Sequence, residues 1–236
     1  MRSDDTPVGR LLTRREVVAL LGIAGSGLMA RHASAAPAPA CVVRPEQTEG
    51  PYFVEERLVR SDIRSDPASG EVRPGAVLQL AFNVSALRGD ACAPLPGVVV
   101  DVWHCDALGA YSDVRDPRGS TVGQKFLRGA QTTDAAGAAR FMTIYPGWYQ
   151  GRAVHIHFKV RTAPAAARGH EFTSQIYFDD AVTDQIHALE PYARRGQGRL
   201  RNDGDGLFRH GGRQLLAAVA RSGQGYATTF DLAVSL

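Results

Sequence analysis

Two histidines separated by one residue occur in an apolar stretch of the chain. His155 and His157 alternate with Ile156 and Phe158, and every second side chain of a β-strand points to the same face. Both imidazoles would therefore project from one side of a rigid strand, an arrangement that can hold a single metal ion. A His-x-His pair by itself is weak support for a metal site, because such pairs also occur on solvated strand faces. The residues around the pair decide between these two interpretations.

Tyrosines, rather than carboxylates or thiols, accompany this histidine pair. Tyr149 lies in an aromatic turn at 145–152, directly before the strand, and Tyr111 follows a Gly turn farther upstream. No carboxylate or thiolate stands at metal-ligand spacing beside the histidines, so phenolates are the available anionic ligands. Phenolate is a hard oxygen donor that suits trivalent iron, and tyrosine also ligates the iron of catalase. Two phenolates and one hydroxide would neutralise Fe(III), which lowers the cost of burying the ion.

The segments that would position these side chains predict an all-β protein. Leu78, Leu80, Phe82 and Val84 alternate with small or polar residues, which is the period of two typical of a strand. Further strands are predicted at 98–103, 140–145, 153–161, 173–178 and 228–234. One short helix is expected around 182–189, and residues 190–212 are expected to form one long loop. Many short strands separated by Gly and Pro turns favour a two-sheet β-sandwich with long loops and little helix.

The first 35 residues have the features of an export signal. Arg14 and Arg15 precede an apolar run of about 14 residues, which is followed by a small-residue Ala-Ser-Ala pattern at 33–35. The run is shorter than the roughly 20 residues that span a bilayer, so no stable membrane span is expected after the signal is removed. Paired arginines after Thr13 are typical of the twin-arginine type, and an ordinary secretory signal is the alternative. We therefore expect an exported protein, periplasmic or extracellular, whose mature domain comprises residues 36–236.

The charge balance restricts the possible partners. The chain is 44% hydrophobic and 22% charged, which excludes wholesale disorder and collagen-like repeats. The leader holds five arginines and three acidic residues, which leaves 22 basic and 21 acidic side chains in the remainder. This balance offers no concentrated cationic surface, so we expect no nucleic-acid partner.

Three cysteines occur in the chain, Cys41, Cys92 and Cys105. In an oxidising compartment two of them can pair and one is left over. Cys92 and Cys105 lie at opposite ends of a strand-like segment and are one candidate pair, but Cys41 can replace either of them. No C-x-x-C sequence is present, so neither a zinc ribbon nor a thioredoxin-like site is expected.

Five segments of the chain together resemble the intradiol ring-cleavage dioxygenases, the family that includes the catechol and protocatechuate dioxygenases. They are TEGPYF at 48–53, VWH at 102–104 with GAYS at 109–112, PGWY at 146–149, RAVHIHF at 152–158 and QIYF at 175–178. In order and spacing they cover about residues 41–235. The PGWY-x-GR sequence resembles an exported branch of the family. The resemblance implies a β-sandwich with the iron at its edge, in agreement with the predicted strands.

The resemblance also implies a role for individual residues. Four side chains would bind one non-haem Fe(III) per chain: Tyr111, Tyr149, His155 and His157. Tyr149 would be the ligand that a catechol-type substrate displaces, and it would then act as a base. Arg152 would stabilise carbanion-like charge on the substrate, and Gln175 would help to position substrate and O2. Pro51 and Tyr52 would line the substrate pocket. The implied reaction cleaves a catechol-type diol with O2 to a cis,cis-muconate-type diacid, a step in the catabolism of aromatic compounds.

Two differences from the family leave the ring substituents and the oligomeric state open. The segment between the second tyrosine and the first histidine is shorter than in protocatechuate enzymes, so the roof of the pocket is expected to differ. We also expect no N-terminal helical dimerisation domain like that of the catechol enzymes, and a homo-oligomer is neither required nor excluded. The alternative from another class is an exported, non-catalytic β-sandwich that binds a metal or a carbohydrate. A zinc hydrolase is less favoured, because it would normally have a carboxylate near the histidines.

Structural roles are expected for the remaining histidines and for one tryptophan. Trp103 is expected in the core, and His104 is expected to be a hydrogen-bonded structural residue. His170, His187 and His210 stand alone in polar or loop contexts and are expected at the surface.

Overall fold

The computed structural model describes residues 41–116, 119–162 and 169–236. The predicted export signal therefore lies outside the described residues. The strands are β1 Val77–Arg88, β2 Ala91–Pro94, β3 Val99–Trp103, β4 Arg115–Asp116, β5 Gly119–Ser120, β6 Arg128–Thr132, β7 Ala138–Ile144, β8 His155–Arg161, β9 Glu171–Phe178, β10 Leu216–Ala217, β11 Ala220–Ser222 and β12 Gly225–Ser235. The α-helices of the described ranges are α1 Asp180–His187 and α2 Gly206–Arg209, accompanied by 3-10 helices at Tyr192–Arg195, Asn202–Gly204 and Gly212–Leu215. Within these ranges, no helix has the length and apolarity needed to cross a bilayer.

The strands form two larger sheets and a short hairpin. In the first sheet the order is β11-β12-β1-β2, and β7 also pairs with β1, alongside its first half. Strands β1 and β12 run parallel, whereas β1 pairs antiparallel with both β2 and β7. The second sheet has the order β10-β9-β8-β3-β6, and its central strand β8 is antiparallel to both of its neighbours, β3 and β9. Strands β4 and β5 form the separate hairpin.

The two sheets pack face to face through alternate side chains of their central strands. The rings of Phe82 on β1 and Phe158 on β8 have centroids 5.2 Å apart, and Phe158 lies 5.4 Å from Phe230 on β12. All three rings are fully buried. Burial of these apolar faces supplies the main free energy that holds the sheets together. The predicted two-sheet β-sandwich is confirmed.

The expected single loop over residues 190–212 is wrong in part. The six predicted strands lie within β1, β3, β7, β8, β9 and β12 or overlap their ends, and the predicted helix overlaps α1. The supposed loop, however, contains two 3-10 turns and α2. Asp205 begins α2 as its N-cap, because its carboxylate accepts hydrogen bonds from the backbone N–H groups of Leu207 and Phe208. A helix of four residues is too short to produce a detectable apolar periodicity.

A disulfide joins Cys41 to Cys92, with the two Cα atoms 5.8 Å apart. The candidate pair Cys92–Cys105 is therefore wrong, because these two residues lie on different sheets. Cys92 is on β2 of the first sheet, whereas Cys105 follows β3 of the second sheet. The Cys105 side chain is buried there, and its thiol is 3.5 Å from the carbonyl oxygen of Gly147.

Candidate metal centre

The outer face of the second sheet carries a row of side chains from three neighbouring strands. Trp103 on β3, His157 on β8 and Gln175 on β9 are cross-strand partners. His155 is paired in the same way with Tyr177. Because cross-strand partners project to the same face, the sheet brings residues that are far apart in sequence into one group. The intervening residues of β8 point into the core between the sheets.

A segment near the start of the described chain crosses this face and covers it. In this cover segment, residues 48–53, the carbonyl oxygen of Thr48 accepts a hydrogen bond from Gln175 Nε2 at 3.0 Å. Gly50 has φ of 73°, and a Cβ there would lie 3.3 Å from His157 Cε1, so this crossing favours glycine. Phe53 then contacts Trp103, with ring centroids 4.9 Å apart. The cover segment therefore passes over β9, β8 and β3 in turn and excludes water from the side chains beneath it.

The two histidines direct the same ring nitrogen toward a common point. His155 Nδ1 lies 2.6 Å from the carbonyl oxygen of Ala153, so Nδ1 carries the proton and the Nε2 lone pair is available. The Nε2 atoms of His155 and His157 are 2.9 Å apart. Two nitrogens that each bind a metal at about 2.0–2.1 Å, near a right angle, are separated by about this distance. The spacing of the pair thus fits one shared ion.

Both histidines are neutral in this environment. Burial, reinforced by the charge of Arg152, lowers the pKa of His155 to about 3. Burial and the neighbouring His155 lower the pKa of His157 well below its ordinary value. Neutral imidazole is the form that binds metals, so no proton has to be displaced from the ligating nitrogens at neutral pH.

Two tyrosine hydroxyls accompany the histidines. Tyr149 Oη lies 3.5 Å from His155 Nε2. Tyr111 is 1% exposed, and its hydroxyl finds no hydrogen-bond partner among the described residues. The rings of Tyr111 and Tyr149 have centroids 5.5 Å apart. A buried hydroxyl without a hydrogen-bond partner costs about 1–3 kcal/mol, so the orphaned Tyr111 hydroxyl favours a bound ion at this position.

This donor set fits a hard, highly charged cation. Burial raises the pKa of Tyr149 to about 12 and that of Tyr111 well above its ordinary value. Ionising both phenols therefore requires a strong positive charge beside them, which a trivalent ion provides. No cluster of three His, Cys, Asp or Glu side chains able to hold a metal occurs in the described part of the chain. The tyrosines are thus needed to complete a ligand set, and two phenolates with two imidazoles fit ferric iron.

Arg152 lies beside Tyr149 and is held by several further side chains. Its Nη1 is 3.5 Å from Tyr149 Oη, and its Nη2 donates to Gln175 Oε1 at 2.5 Å and to Tyr177 Oη at 3.0 Å. Its Nε donates to Asp205 Oδ2 at 2.9 Å. Burial disfavours the Arg152 charge, but the oxygens of Tyr149, Tyr177 and Asp205 more than compensate and raise its pKa. A permanent positive charge therefore lies next to the tyrosine oxygen.

Residues 48–197 match the family model described as Dioxygenase. The chain belongs to the intradiol ring-cleavage dioxygenase family. The matched range contains every predicted site residue of this family member, whereas Asp205 lies beyond it. The resemblance seen in the five sequence segments is thereby confirmed.

Solved structures extend the similarity over most of this dioxygenase-family chain. An intradiol ring-cleavage dioxygenase from Tetranychus urticae is 30% identical, with a TM-score of 0.71, over 83% of this chain and 95% of that chain. The dioxygenase domain of a carbohydrate-binding fusion protein from Streptomyces sp. SirexAA-E is 31% identical, with a TM-score of 0.57, over 82% of this chain and 99% of that chain. The shared fold therefore covers nearly the whole of both solved chains.

The curated relatives match a smaller part of this chain than the solved structures do. A chlorocatechol 1,2-dioxygenase from Pseudomonas putida is 28% identical over 165 residues, which are 61% of this chain and 58% of that protein. A second chlorocatechol 1,2-dioxygenase, from Pseudomonas sp. (strain P51), is 29% identical over 56% of this chain and 54% of that protein. The chain thus spans somewhat more than half the length of these two relatives.

The predicted pocket residues Pro51 and Tyr52 lie in the cover segment. The Tyr52 ring stacks on Tyr111, with centroids 4.5 Å apart, and meets Tyr149 edge-on at 5.7 Å. Pro51 is exposed beside it. A cavity of about 300 Å³ also borders Tyr111, and Arg195 contributes to its wall. Tyr52 therefore lies directly at the tyrosine pair, and its role in substrate binding stays a prediction.

Sequence reasoning missed Asp205 and Tyr177, both of which bind Arg152. Tyr177 carried a usable signal, because it follows Gln175 by two residues and must share its face of β9. Asp205 carried no such signal, since its place depends on how residues 196–205 return to the sheet.

Trp103 is buried as expected, yet it lies on the outer face against His157 rather than between the sheets.

The four histidines of the described ranges outside the His155–His157 pair are each predicted to be structural or exposed, and the structure confirms three of these four predictions. His104 is confirmed as structural: its Nε2 is 2.6 Å from Thr143 Oγ1 and the ring is buried. His170 and His210 are exposed, as predicted. The surface prediction for His187 is wrong, because its ring stacks on Tyr192 with centroids 4.9 Å apart and is half-buried.

Proposed function

We propose that this chain is a non-haem Fe(III)-dependent intradiol dioxygenase that cleaves a catechol-type diol with O2 to a cis,cis-muconate-type diacid. The observation that supports this most strongly is the convergence of three ligand atoms beside a fourth, buried side chain, Tyr111, whose ring contacts Tyr149. His155 and His157 bring their Nε2 atoms to 2.9 Å, Tyr149 Oη is 3.5 Å from the first of them, and Tyr111 has an orphaned hydroxyl nearby. Family membership supports the same class of reaction.

The proposed metal ligands are Tyr111, Tyr149, His155 and His157. Bound there, Fe(III) would supply Lewis acidity that activates the diol toward O2. With Tyr111 as a phenolate and Tyr149 protonated and displaced, the charges of Fe(III), one phenolate and a doubly deprotonated diol would sum to zero, which limits the cost of burying them. The covering tyrosine ring of Tyr52 would form one wall for the aromatic ring of the diol.

We propose that Tyr149 accepts a proton from the diol and that Arg152 stabilises negative charge on it. Tyr149 is the less buried tyrosine of the pair, and it would take up a proton from one diol hydroxyl at its Oη. Arg152 Nη1 is already within 3.5 Å of that oxygen. Its fixed positive charge would stabilise negative charge that develops on the ring during reaction. Gln175 accepts a hydrogen bond from Arg152 Nη2, and it would orient the diol and O2.

The position of ring cleavage follows from the kind of ligand. Enzymes that activate O2 directly at Fe(II) use two histidines and one carboxylate, with open positions on the metal. Here the anionic ligands are phenolates, so the diol itself would be the activated partner. The bond between the two hydroxyl-bearing carbons breaks, both atoms of O2 enter the product, and each of these carbons becomes part of a carboxyl group.

The test is to load the purified protein with iron and offer it catechol under labelled O2. We expect about one iron per chain, a burgundy charge-transfer band, and a colourless cis,cis-muconate that carries both labels. Some label is expected to be lost to water, because the diacid would form through its cyclic anhydride, which is then hydrolysed. A yellow semialdehyde as the main product would contradict the proposal. Colourless protein that binds a carbohydrate and cleaves no diol would favour the non-catalytic module instead. His157→Gln should lose iron, whereas the matched control His170→Gln, at an exposed site, should retain it.

Export is part of the proposal. The Cys41–Cys92 disulfide supports an oxidising compartment, since such bonds persist mainly in exported proteins. The expected result on expression in a bacterium is a periplasmic or secreted chain whose N-terminus begins near residue 36. Lys substitutions at both Arg14 and Arg15 should block transport by the twin-arginine route, and unchanged transport would indicate the ordinary secretory route.

A further inference from the structure

Asp205 lies outside the proposed ligand set, yet it is bonded directly to the residues that adjoin it. Its side chain is 1% exposed. One carboxylate oxygen, Oδ2, accepts hydrogen bonds from Arg152 Nε at 2.9 Å and from the backbone N–H of Ala153 at 2.8 Å. The other oxygen, Oδ1, accepts from the backbone N–H of Leu207 at 2.7 Å. The two oxygens thus have separate tasks, one toward the metal centre and one toward α2.

The bond to Arg152 determines where the rest of its guanidinium points. A guanidinium is planar and its five N–H groups have fixed directions relative to one another. With Nε held by Asp205, Nη1 is directed toward Tyr149 and Nη2 toward Gln175. Without the Nε contact, only the Nη2 bonds to Gln175 and Tyr177 would hold the guanidinium, and its plane could tilt so that Nη1 moves away from Tyr149.

The bond to Ala153 acts on the other side of the centre. The N–H of Ala153 is held by Asp205, and the carbonyl oxygen of the same residue lies 2.6 Å from His155 Nδ1. That contact fixes which nitrogen of His155 is available to a metal. One carboxylate oxygen is therefore linked to a proposed catalytic arginine and to the backbone that orients a proposed ligand.

We propose that Asp205 is a positioning residue for the metal centre, which aims Arg152 at Tyr149 and steadies the Ala153 peptide that orients His155. This inference rests on the proposed function. Asp205 follows the range that matches the family model, which ends at residue 197. The proposal therefore gives this later part of the chain a role in orienting the metal centre, although it supplies no metal ligand.

The variant Asp205→Asn can separate positioning from folding. Asn is as good an N-cap as Asp, so its oxygen can keep the contacts with Leu207 and Phe208. Its NH2 group then faces the N–H groups of Arg152 and Ala153, where donor meets donor. Asp205→Ser retains an N-cap and removes the ion pair, and it serves as a second variant if Asn disturbs folding. Asp203→Asn is the matched control, because Asp203 is 81% exposed and pairs only with an exposed Arg213 in the described ranges.

The experiment uses the iron-loaded protein and compares kcat and KM for catechol, iron content, the visible band and the Kd of 4-nitrocatechol. Relative to Asp203→Asn, we expect Asp205→Asn to lower kcat by about ten- to a hundredfold, with a much smaller change in KM. We also expect a shifted visible band in the 4-nitrocatechol complex and near-normal iron content. In an Arg152→Ala background, Asp205→Asn should lower kcat by less than about threefold, because Arg152 is gone and only the link to Ala153 and His155 remains to be lost.

Equal losses of kcat in the wild-type and Arg152→Ala backgrounds, with iron content and the 4-nitrocatechol band both as in Asp203→Asn, would overturn the proposal and leave Asp205 as a helix cap. The same conclusion would follow if both Asp205 variants matched Asp203→Asn in every measurement. Failure of the proposed function is distinguishable, because the wild-type protein would then cleave no diol at all. The metal content and the 4-nitrocatechol band would still test the positioning role in that case.

Discussion

The indole of Trp103 lies flat against the imidazole of His157, with ring centroids 5.1 Å apart and an angle of 7° between the planes. The two residues are cross-strand partners on β3 and β8. Stacking restricts rotation of the imidazole and so fixes the direction of its Nε2 atom. We expect Trp103→Leu to weaken iron retention and to lower the free energy of unfolding by on the order of 2–4 kcal/mol. Trp103→Phe should retain more iron, because a flat ring remains. Iron content after dialysis against a chelator checks this, and equal retention in both variants would contradict it.

Tyr111 and Tyr149 should differ when each hydroxyl is removed. Tyr111→Phe is expected to lose iron or its colour, because the proposed anionic ligand that is most deeply buried would be removed. Tyr149→Phe is expected to retain some iron yet turn over slowly, since the group that accepts a proton is lost. Iron analysis and single-turnover kinetics distinguish these outcomes. Tyr226→Phe, on the first sheet, is the control and should behave like the wild type in both measurements.

Removing the charge of Arg152 should affect turnover more than metal binding. We expect Arg152→Ala to keep its iron and colour while kcat falls on the order of 10²-fold, the loss typical of a charge-stabilising donor. The control Arg140→Ala removes an exposed arginine on β7 of the first sheet. Unchanged turnover in Arg152→Ala would return Arg152 to a structural role.

His187 should make the protein less stable in mild acid. Burial lowers its pKa from an ordinary 6.5 to about 4. Between these values the unfolded chain binds a proton that the folded chain does not, so the free energy of unfolding falls as pH drops through this window. His187→Gln removes this contribution, and its stability should decline less from about pH 7 to about pH 4.5. Urea unfolding at several pH values measures the slopes. The exposed variant His170→Gln should follow the wild type, and an unchanged slope in His187→Gln would refute the assignment.

Strand periodicity was sufficient to predict the central part of the centre. The alternation around His155 and His157 places both rings on one face, and the same rule applied to β9 places Gln175 with Tyr177. These are local relationships, because the direction of a side chain in a strand depends only on its position in the pleat. Tyr111 and Tyr149 lie outside regular strands, so periodicity does not place them. The lack of carboxylates beside the histidines indicates phenolate ligands, and the family resemblance assigns the role to these two tyrosines.

The residues that sequence reasoning misplaced depend on contacts between distant segments. Asp205 is 53 positions from Arg152 in the sequence. No local sequence pattern predicts that the chain brings these two residues together. Cys92 could not be assigned to Cys41 without knowing that β2 lies on the first sheet and Cys105 next to the second. His187 resembles a surface residue in its polar sequence, and only the neighbouring 3-10 turn brings Tyr192 over its ring.

The cover segment keeps solvent away from the proposed metal centre, but it takes no part in the core between the two sheets. The contacts among Phe82, Phe158 and Phe230 that join the two sheets involve none of residues 48–53. Residues 48–53 therefore protect the outer face of the second sheet rather than join the two sheets, and the backbone of Gly50 lies directly above the ring of His157. Water at this face would hydrate charges and compete for reactive species at the centre. The two sheets thus act as a scaffold, and residues 48–53 shield from solvent the outer face on which the proposed metal centre lies.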